Sequence, residues 1–392
     1  MSAEWTEVTL TQALVRTGGL SGKESQVADL VEAVMISLGY RDVARDELGS
    51  VVGYLGPHAE QTALLLDGHM DVVPIMGSWS RDPFGGEIAG DRLFGRGATD
   101  MKGPLGAALC GIAQAGRSGR LTRQVAVSAS VLEETIEGLA LAAVLDRTVP
   151  QAVVICEPSS LSIKLGQRGR IEILVDIEGV PAHAAHPEQG HNPILLAAAA
   201  LQAIDAMSLP FHPDLGQAII VPTDIVSEPY PSISSIPASV RIRFDRRTMT
   251  DETSEDVLAA IGDRLAAVDP RAFRVRVSDA PVETYTGRSL RGERFLPAWM
   301  GDRSSPLAQA AAASLRDCGC EVRYGVYGFC TNGSESAGRR NIPTIGLGPG
   351  AEADAHTADE SISITELRRA AAAYRGLALR VAGDLRAAGD WG

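Results

Sequence analysis

Leu64-Leu65-Leu66-Asp67-Gly68-His69-Met70-Asp71 is the stretch on which the fold turns. Thr62 to Leu66 is an apolar run of strand length, suited to burial on both faces, and the chain then presents His69 and Asp71 at once. The same form recurs. Val125 to Leu132 runs into Glu133-Glu134, and Ala152 to Cys156 into Glu157-Pro158. Residues 343–347 run into Gly348-Pro349-Gly350 and then Asp354-Ala355-His356-Thr357. Val51 to Leu55 is a further run of this kind, and residues 321–326 another strand. Helical patterns lie between and around them, at 7–17, 24–38, 102–117, 135–147, 305–317 and 364–387. Strands alternating with helices of this length predict an α/β fold with a mixed, mostly parallel sheet flanked by helices.

The texture changes near Gly166. Residues 170–178 (RIEILVDIE) alternate apolar and polar, as a half-solvated antiparallel strand does. A helix (193–206), strands (217–227 and 238–246), a helix (252–267) and a strand (272–279) follow. That order is β-α-β-β-α-β, the ferredoxin-like pattern. Residues 167–280 therefore read as an inserted α+β domain. Residues 1–166 and 281–392 read as the domain that carries the strand-end His and carboxylates, with 281–303 loop-rich.

A chain of 392 residues suits two such domains, and 45% hydrophobic with 22% charged residues is ordinary for a globular enzyme. A net charge of -13 and a pI of about 5.1 argue against nucleic-acid or anionic-membrane surfaces, which need clustered Lys and Arg. The start, MSAEWTEVTL, lacks a basic segment followed by an apolar one, so no secretory signal is expected. The apolar run Ile194 to Ala206 is broken by Gln202 and Asp205 and falls short of the roughly 20 residues of a membrane span. Cys110, Cys156, Cys318, Cys320 and Cys330 are scattered and odd in number, as expected of reduced thiols in a cytoplasmic protein. The expected partner is a small molecule.

In open α/β sheets, ligands bind beyond the carboxyl ends of the strands, where His69 stands. An imidazole ligand needs an acceptor for its other nitrogen, and Asp71 is a candidate. Asp100 sits in Gly95-Arg96-Gly97-Ala98-Thr99-Asp100-Met101-Lys102-Gly103, where its two oxygens could each face a cation; alone, it is also a good helix cap. Adjacent Glu133 and Glu134 repel each other unless a cation neutralises them or the turn is solvated. In the functional reading Glu134 binds metal and Glu133 stays free as a general base. Each motif has a bland alternative, but five junctions converge, and two of only seven histidines fall at them. The set His69, Asp100, Glu134, Glu157 and His356 offers N and O donors without thiolate, which suits zinc, cobalt or manganese. Two divalent ions about 3.5–4 Å apart lower the pKa of a water and polarise a carbonyl, with Glu133 shuttling the proton.

His69-Met70-Asp71, Gly97-Ala98-Thr99-Asp100-Met101-Lys102-Gly103, Glu133-Glu134, Glu157-Pro158 and Ala355-His356-Thr357 resemble the co-catalytic zinc hydrolases. That family includes carboxypeptidase G, aminoacylase, acetylornithine deacetylase and succinyl-diaminopimelate desuccinylase. The resemblance runs over nearly the whole chain. It implies that His69 and Glu157 bind one metal, Glu134 and His356 the other, and that Asp100 bridges. It implies Glu133 as base, Asp71 orienting His69, and an inserted lid domain that forms a homodimer. His183, in Gly179-Val180-Pro181-Ala182-His183, matches a histidine that stabilises the oxyanion in the partner's site. Arg247, in Asp245-Arg246-Arg247, matches an arginine that binds a substrate carboxylate. Ser234-Ser235 precede Ile236-Pro237 where the family often has Asn, a departure at the usual carboxylate contact. Gly166-Gln167-Arg168-Gly169-Arg170, Tyr285-Thr286-Gly287 and Thr331-Asn332-Gly333 resemble one branch, the selenium-metabolism-linked hydrolases. Arg168 and Asn332 could line the pocket or hold loops in shape.

Three functions are weighed: hydrolysis of an N-acyl amino acid or small peptide; hydrolysis of another C–N bond, such as a carbamoyl group or an amine on an activated ring; and a non-catalytic binding protein. The last is disfavoured because every candidate ligand and Glu133 are present.

Overall fold

A computed structural model describes residues 5–383. The chain forms two compact units, one of residues 5–167, 281–290 and 300–383, the other of residues 168–280 and 291–299. The short segment 291–299 joins the second unit because Phe295–Leu296 pairs with the strand Gly169–Glu178.

In the first unit the strands lie side by side in the order Arg41–Arg45, Val51–Leu55, Val125–Ser130, Leu64–His69, Val153–Ile155, Thr344–Gly346, Ile163–Gln167. The four strands Val125–Ser130, Leu64–His69, Val153–Ile155 and Thr344–Gly346 run parallel, while both flanks carry antiparallel pairs. Register aligns their carboxyl ends: His69 lies opposite Ser130, and Ile155 opposite both Asp67 and Gly346. Neighbouring strands are about 4.8 Å apart, so residues that follow these ends converge on one spot. Leu64, Leu65, Leu66, Val125, Val127, Val153 and Val154 are fully buried, as a sheet covered on both faces requires.

Helices Gly103–Arg117 and Ile364–Ala382 pack against each other closely, and a Cβ at Gly111 would lie 2.3 Å from the Ala371 carbonyl oxygen. Residues 384–387 of the expected last helix lie outside the described residues. The helix expected from 135 begins at Leu139, because residues 132–138 are spent on turns, with Thr135 and Ile136 N–H donating to the Leu132 carbonyl. No helix among the described residues is long and apolar enough to cross a membrane.

The second unit has the order Ile219–Glu228, Ser239–Thr248, Gly169–Glu178, Phe273–Val277, all antiparallel. Helices Pro193–Asp205 and Ser254–Ala266 share a core with Ile171, Ile173, Val175, Ile177, Val240, Ile242 and Phe244. The alternation of these buried positions with Arg170, Glu172, Asp176, Arg241, Arg243 and Asp245 is the period of two that a one-faced sheet needs.

Candidate metal centre

His69 ends its strand and is 1% exposed. Its Nδ1–H donates to the Asp71 backbone carbonyl at 2.9 Å, which turns Nε2 toward carboxylates: Asp100 Oδ1 at 3.0 Å, Glu157 Oε1 at 3.6 Å and Glu133 Oε2 at 3.9 Å. The Asp71 carboxylate stands farther off, 3.5 Å from Nδ1. Its oxygens take the backbone N–H groups of Glu133 (3.1 Å) and Glu134 (3.2 Å) and the Ser21 hydroxyl (2.7 Å). Asp71 thus holds His69 through its main chain and the Glu133–Glu134 turn through its side chain.

His356, half-exposed on its loop, places Nε2 2.9 Å from Glu134 Oε2 and 3.2 Å from Asp100 Oδ2. Asp100 therefore faces one histidine with each oxygen. His69, Asp100 and Glu157 form one triad, and Asp100, Glu134 and His356 a second, each with ligand atoms within 4.8 Å of one another. All five sequence-derived candidates for metal ligation come together, and Glu133 lies beside them on the turn it shares with Glu134.

Four carboxylates and two imidazoles packed this way are in electrostatic conflict without a cation. Burial, then the Glu157 charge, pushes the Glu133 carboxyl well above its usual range; burial, then Asp100, does the same to Glu157. Glu134 is raised to about 7 by burial and then Asp100, against the opposing bond from His356. Burial alone would raise Asp100 and lower His69, but their mutual bond and the surrounding groups reverse both, holding Asp100 down and His69 well up. Hydrogen bonds to Asp100 and Glu134 lift His356 to about 10. Glu157 Oε2 is buried and has no hydrogen-bond partner. A donor set of this chemistry, with an orphaned carboxylate oxygen and a deprotonable Nε2 aimed inward, fits divalent cations.

Behind the site lies a layer that the sequence does not announce. Glu360, 1% exposed, accepts from Arg96 Nη1 (2.7 Å) and from the backbone N–H groups of Gly97 (3.1 Å), Thr99 (2.8 Å) and Asp100 (3.0 Å). Arg96 also reaches the His356 carbonyl at 3.5 Å, so one buried ion pair ties the Asp100 loop to the His356 loop. Gly97 starts this loop at φ 83°, a conformation glycine adopts without strain. The only hint in the sequence is two charges beside motif residues, and charge alone does not reveal burial.

Asn332 sits in a similar layer. Its Nδ2 donates to Asp67 Oδ2 (2.8 Å) and Ser130 Oγ (3.1 Å), and its Oδ1 accepts from Gly138 N–H (2.7 Å). Both amide protons and the oxygen are bonded inside the protein, the arrangement of a residue that holds loops in shape. In the second unit, Arg168 Nη1 donates to the Gln217 carbonyl at 3.1 Å, and Arg247 Nε to Asp245 Oδ1 at 2.7 Å. His183 is exposed, and its Nδ1 accepts from Ala185 N–H at 3.0 Å.

The model of peptidase family M20/M25/M40 matches residues 65–380. An uncharacterised Escherichia coli (strain K12) protein, YgeY, is 29% identical over 371 residues, 91% of this chain and 89% of its own length. A succinyl-diaminopimelate desuccinylase of Sphingopyxis alaskensis is 30% identical over 395 residues, 95% of this chain and 98% of that one. The crystal structure of the M20 metallo-carboxypeptidase Sso-CP2 from Sulfolobus solfataricus shares the fold, with a TM-score of 0.75 at 15% identity over 96% of this chain and 99% of that one. With most of its length matched in these ways, the chain belongs to peptidase family M20/M25/M40 and is a metallohydrolase acting on C–N bonds.

Proposed function

We propose that the chain hydrolyses the amide bond of an N-acyl amino acid or small peptide at a centre of two divalent ions, zinc by first expectation, with cobalt or manganese suited to the same donors. The observation that carries this reading is Asp100, whose Oδ1 is 3.0 Å from His69 Nε2 and whose Oδ2 is 3.2 Å from His356 Nε2. One carboxylate shared by two triads is the arrangement a pair of neighbouring ions needs. His69 and Glu157 would hold one ion, Glu134 and His356 the other, with Asp100 offering an oxygen to each. When bound, the ions supply Lewis acidity to the scissile carbonyl and to the attacking water.

The remaining chemistry belongs to the protein. Glu133 is in neither triad, yet its Oε2 lies 3.9 Å from His69 Nε2. A carboxylate so placed takes the proton of the attacking water and returns it to the leaving nitrogen. Asp71 fixes the His69 tautomer through its carbonyl. Because Nδ1 of His183 accepts a bond, the proton of its neutral ring is on Nε2, which leaves a donor suited to an oxyanion in a second copy's site. Arg247, with Arg168 as a second cation of that unit, is the proposed holder of the substrate carboxylate.

A homodimer is part of the proposal. Ile219–Glu228 is an edge strand, and Val221, Ile225 and Val226 on it are 45–53% exposed. An edge of this length with apolar side chains is a template for pairing with its own copy across a two-fold axis. A cytoplasmic setting accords with five free cysteines. A second reading, hydrolysis of a carbamoyl or ring-borne C–N bond, rests on Ser234-Ser235, which stand where the family's usual Asn contact to a substrate carboxylate would be.

Metal-loaded protein assayed against N-acetyl, N-succinyl and N-carbamoyl amino acids and dipeptides tests the reading, with Glu133→Gln as control. Turnover on an N-acyl substrate or dipeptide that falls about 100-fold or more in the variant supports it, the contribution general acid–base catalysis makes. Turnover on the N-carbamoyl compounds alone moves the assignment to the second reading. Turnover that survives Glu133→Gln overturns the assignment of the base.

A further inference from the structure

Three consecutive backbone amides govern where Glu133 and Glu134 point. Glu133 N–H and Glu134 N–H are taken by the two oxygens of Asp71. The amide before them, Leu132 N–H, donates to Glu24 Oε1 at 3.2 Å. Leu132 stands at φ 59°, in the left-handed region, which a leucine occupies only at a cost. The turn that presents the two carboxylates is therefore one that outside partners must hold.

Glu24 is fully buried and lies immediately before the helix Ser25–Ser37. Its Oε1 also accepts Gly22 N–H at 2.9 Å, and the neighbouring Ser21 hydroxyl donates to Asp71 Oδ2 at 2.7 Å. The segment 21–24 thus reaches both carboxylates that grip the turn. The Glu24 side chain makes no capping bond to the helix it precedes, so its reach to Leu132 is not explained by starting that helix.

We propose that Glu24 is a positioning residue for the Glu133–Glu134 pair, fixing the left-handed turn at Leu132 through its Oε1. The inference rests on the reading of Glu133 as base and Glu134 as a metal-holding carboxylate. Releasing Leu132 N–H lets the turn relax, which swings Glu134 away from His356 and Glu133 away from the reacting centre. Both consequences are measurable, and only the second requires turnover.

The test uses the full chain, stripped of metal and titrated with zinc alone against a chromophoric chelator, then assayed when loaded. Glu24→Ala removes the acceptor and Glu24→Gln retains a neutral one. Glu24→Ala is expected to weaken one of two zinc ions by about 10–100-fold, the usual effect of losing a partner behind a metal ligand. It is also expected to lower kcat by about 100-fold with KM within about threefold, because misplacing a group by about 1 Å costs that much. Glu24→Gln should keep zinc affinity and kcat within about threefold of the parent, since the acceptor survives. Glu24→Ala with the parent's zinc isotherm and kcat overturns the proposal, as does an equal fall in the Ala and Gln variants. If Glu24→Ala loses its cooperative unfolding transition, Glu24→Asp takes its place. It keeps the carboxyl group and shortens the reach to Leu132 by one methylene, and parent-like zinc binding in it overturns the proposal. Glu133→Gln separates the two claims. Turnover that survives it sinks the base assignment, whereas a dead Glu133→Gln beside a parent-like Glu24→Ala sinks only the positioning.

Discussion

Glu360→Gln changes one oxygen to an NH2 group at the most heavily committed carboxylate behind the site. Glu360 Oε1 serves Thr99 and Asp100 N–H, and Oε2 serves Arg96 and Gly97 N–H. A glutamine has one acceptor oxygen, so one of these pairs must lose its partner and face an N–H group instead. Stranding the buried Arg96 guanidinium costs the most, about 3–5 kcal/mol for a broken buried pair. The amide oxygen is therefore expected to stay on Arg96, leaving Thr99 and Asp100 N–H orphaned. Two buried donors at about 1–3 kcal/mol each give roughly 4 kcal/mol of lost stability, a lower bound because the buried Arg96 also loses its counter-charge. The larger the domain, the smaller the shift per kcal/mol; at about 2 °C each this is a fall of roughly 8 °C in Tm. Because Asp100 N–H is one of the orphans, zinc affinity should fall too, by about 10–100-fold. Scanning calorimetry reads the first quantity and chelator competition the second. Glu360→Gln with parent-like Tm and zinc affinity would refute the account of the Arg96–Glu360 pair as the frame of the Asp100 loop. The double variant Arg96→Met/Glu360→Leu, which removes both charges, should be less destabilised than either single variant, since no unpaired charge remains.

In the metal-free protein Glu134 is raised to about 7 from 4.5, and His356 to about 10 from 6.5. The folded state thus holds protons that the unfolded chain releases: the Glu134 contribution, present below about pH 4.5, is lost as pH rises through about 7, and the His356 contribution, present below about pH 6.5, is lost as pH rises through about 10. Tm of the stripped protein should fall between about pH 5 and pH 9, with zinc restoring most at the alkaline end; a Tm that climbs with pH contradicts this. Asn332→Leu strands Gly138 N–H and takes one of three donors from the Asp67 carboxylate, which keeps Ser128 and Ser130, for a loss of about 1–3 kcal/mol with KM unchanged; a raised KM at parent stability would place Asn332 in the pocket. Gly111→Ala drives a Cβ to 2.3 Å from the Ala371 carbonyl and should cost about 1–3 kcal/mol by forcing the two helices apart, as chemical denaturation would record.

The parallel sheet and its strand-end residues were legible because both leave a local trace. An apolar run that stops on His69 or Glu157 states strand, terminus and ligand in a few letters. The alternation of residues 170–178 likewise marks a sheet with one wet face. Features carried by contacts between distant segments leave no such trace. Glu360 and Arg96 have the composition of surface charges, and only the closure of the sheet buries them together. Asp67 reads as a polar interruption of a strand, although Ser128, Ser130 and Asn332 all donate to it. Asp71 stands by His69 as its motif suggests, and it is the carbonyl of Asp71 that lies closer, at 2.9 Å against 3.5 Å for the carboxylate. Main-chain acceptors are common to every residue, so no sequence distinguishes that choice. The strand Arg41–Arg45 was missed because an edge strand rich in charge has no apolar run.

The order in which the parallel strands are made has its own consequence. Val153–Ile155 completes three of the four parallel strands early in synthesis, and its remaining edge waits for Thr344–Gly346. Between them the ribosome delivers the whole of residues 168–280, a unit with its own core, able to condense while that edge stands open. Non-local parallel pairing is slow, and an unpaired apolar edge is a site for wrong partners. The nascent first unit is therefore most exposed to aggregation during the synthesis of its insertion, and His356 follows directly on the strand that closes that edge.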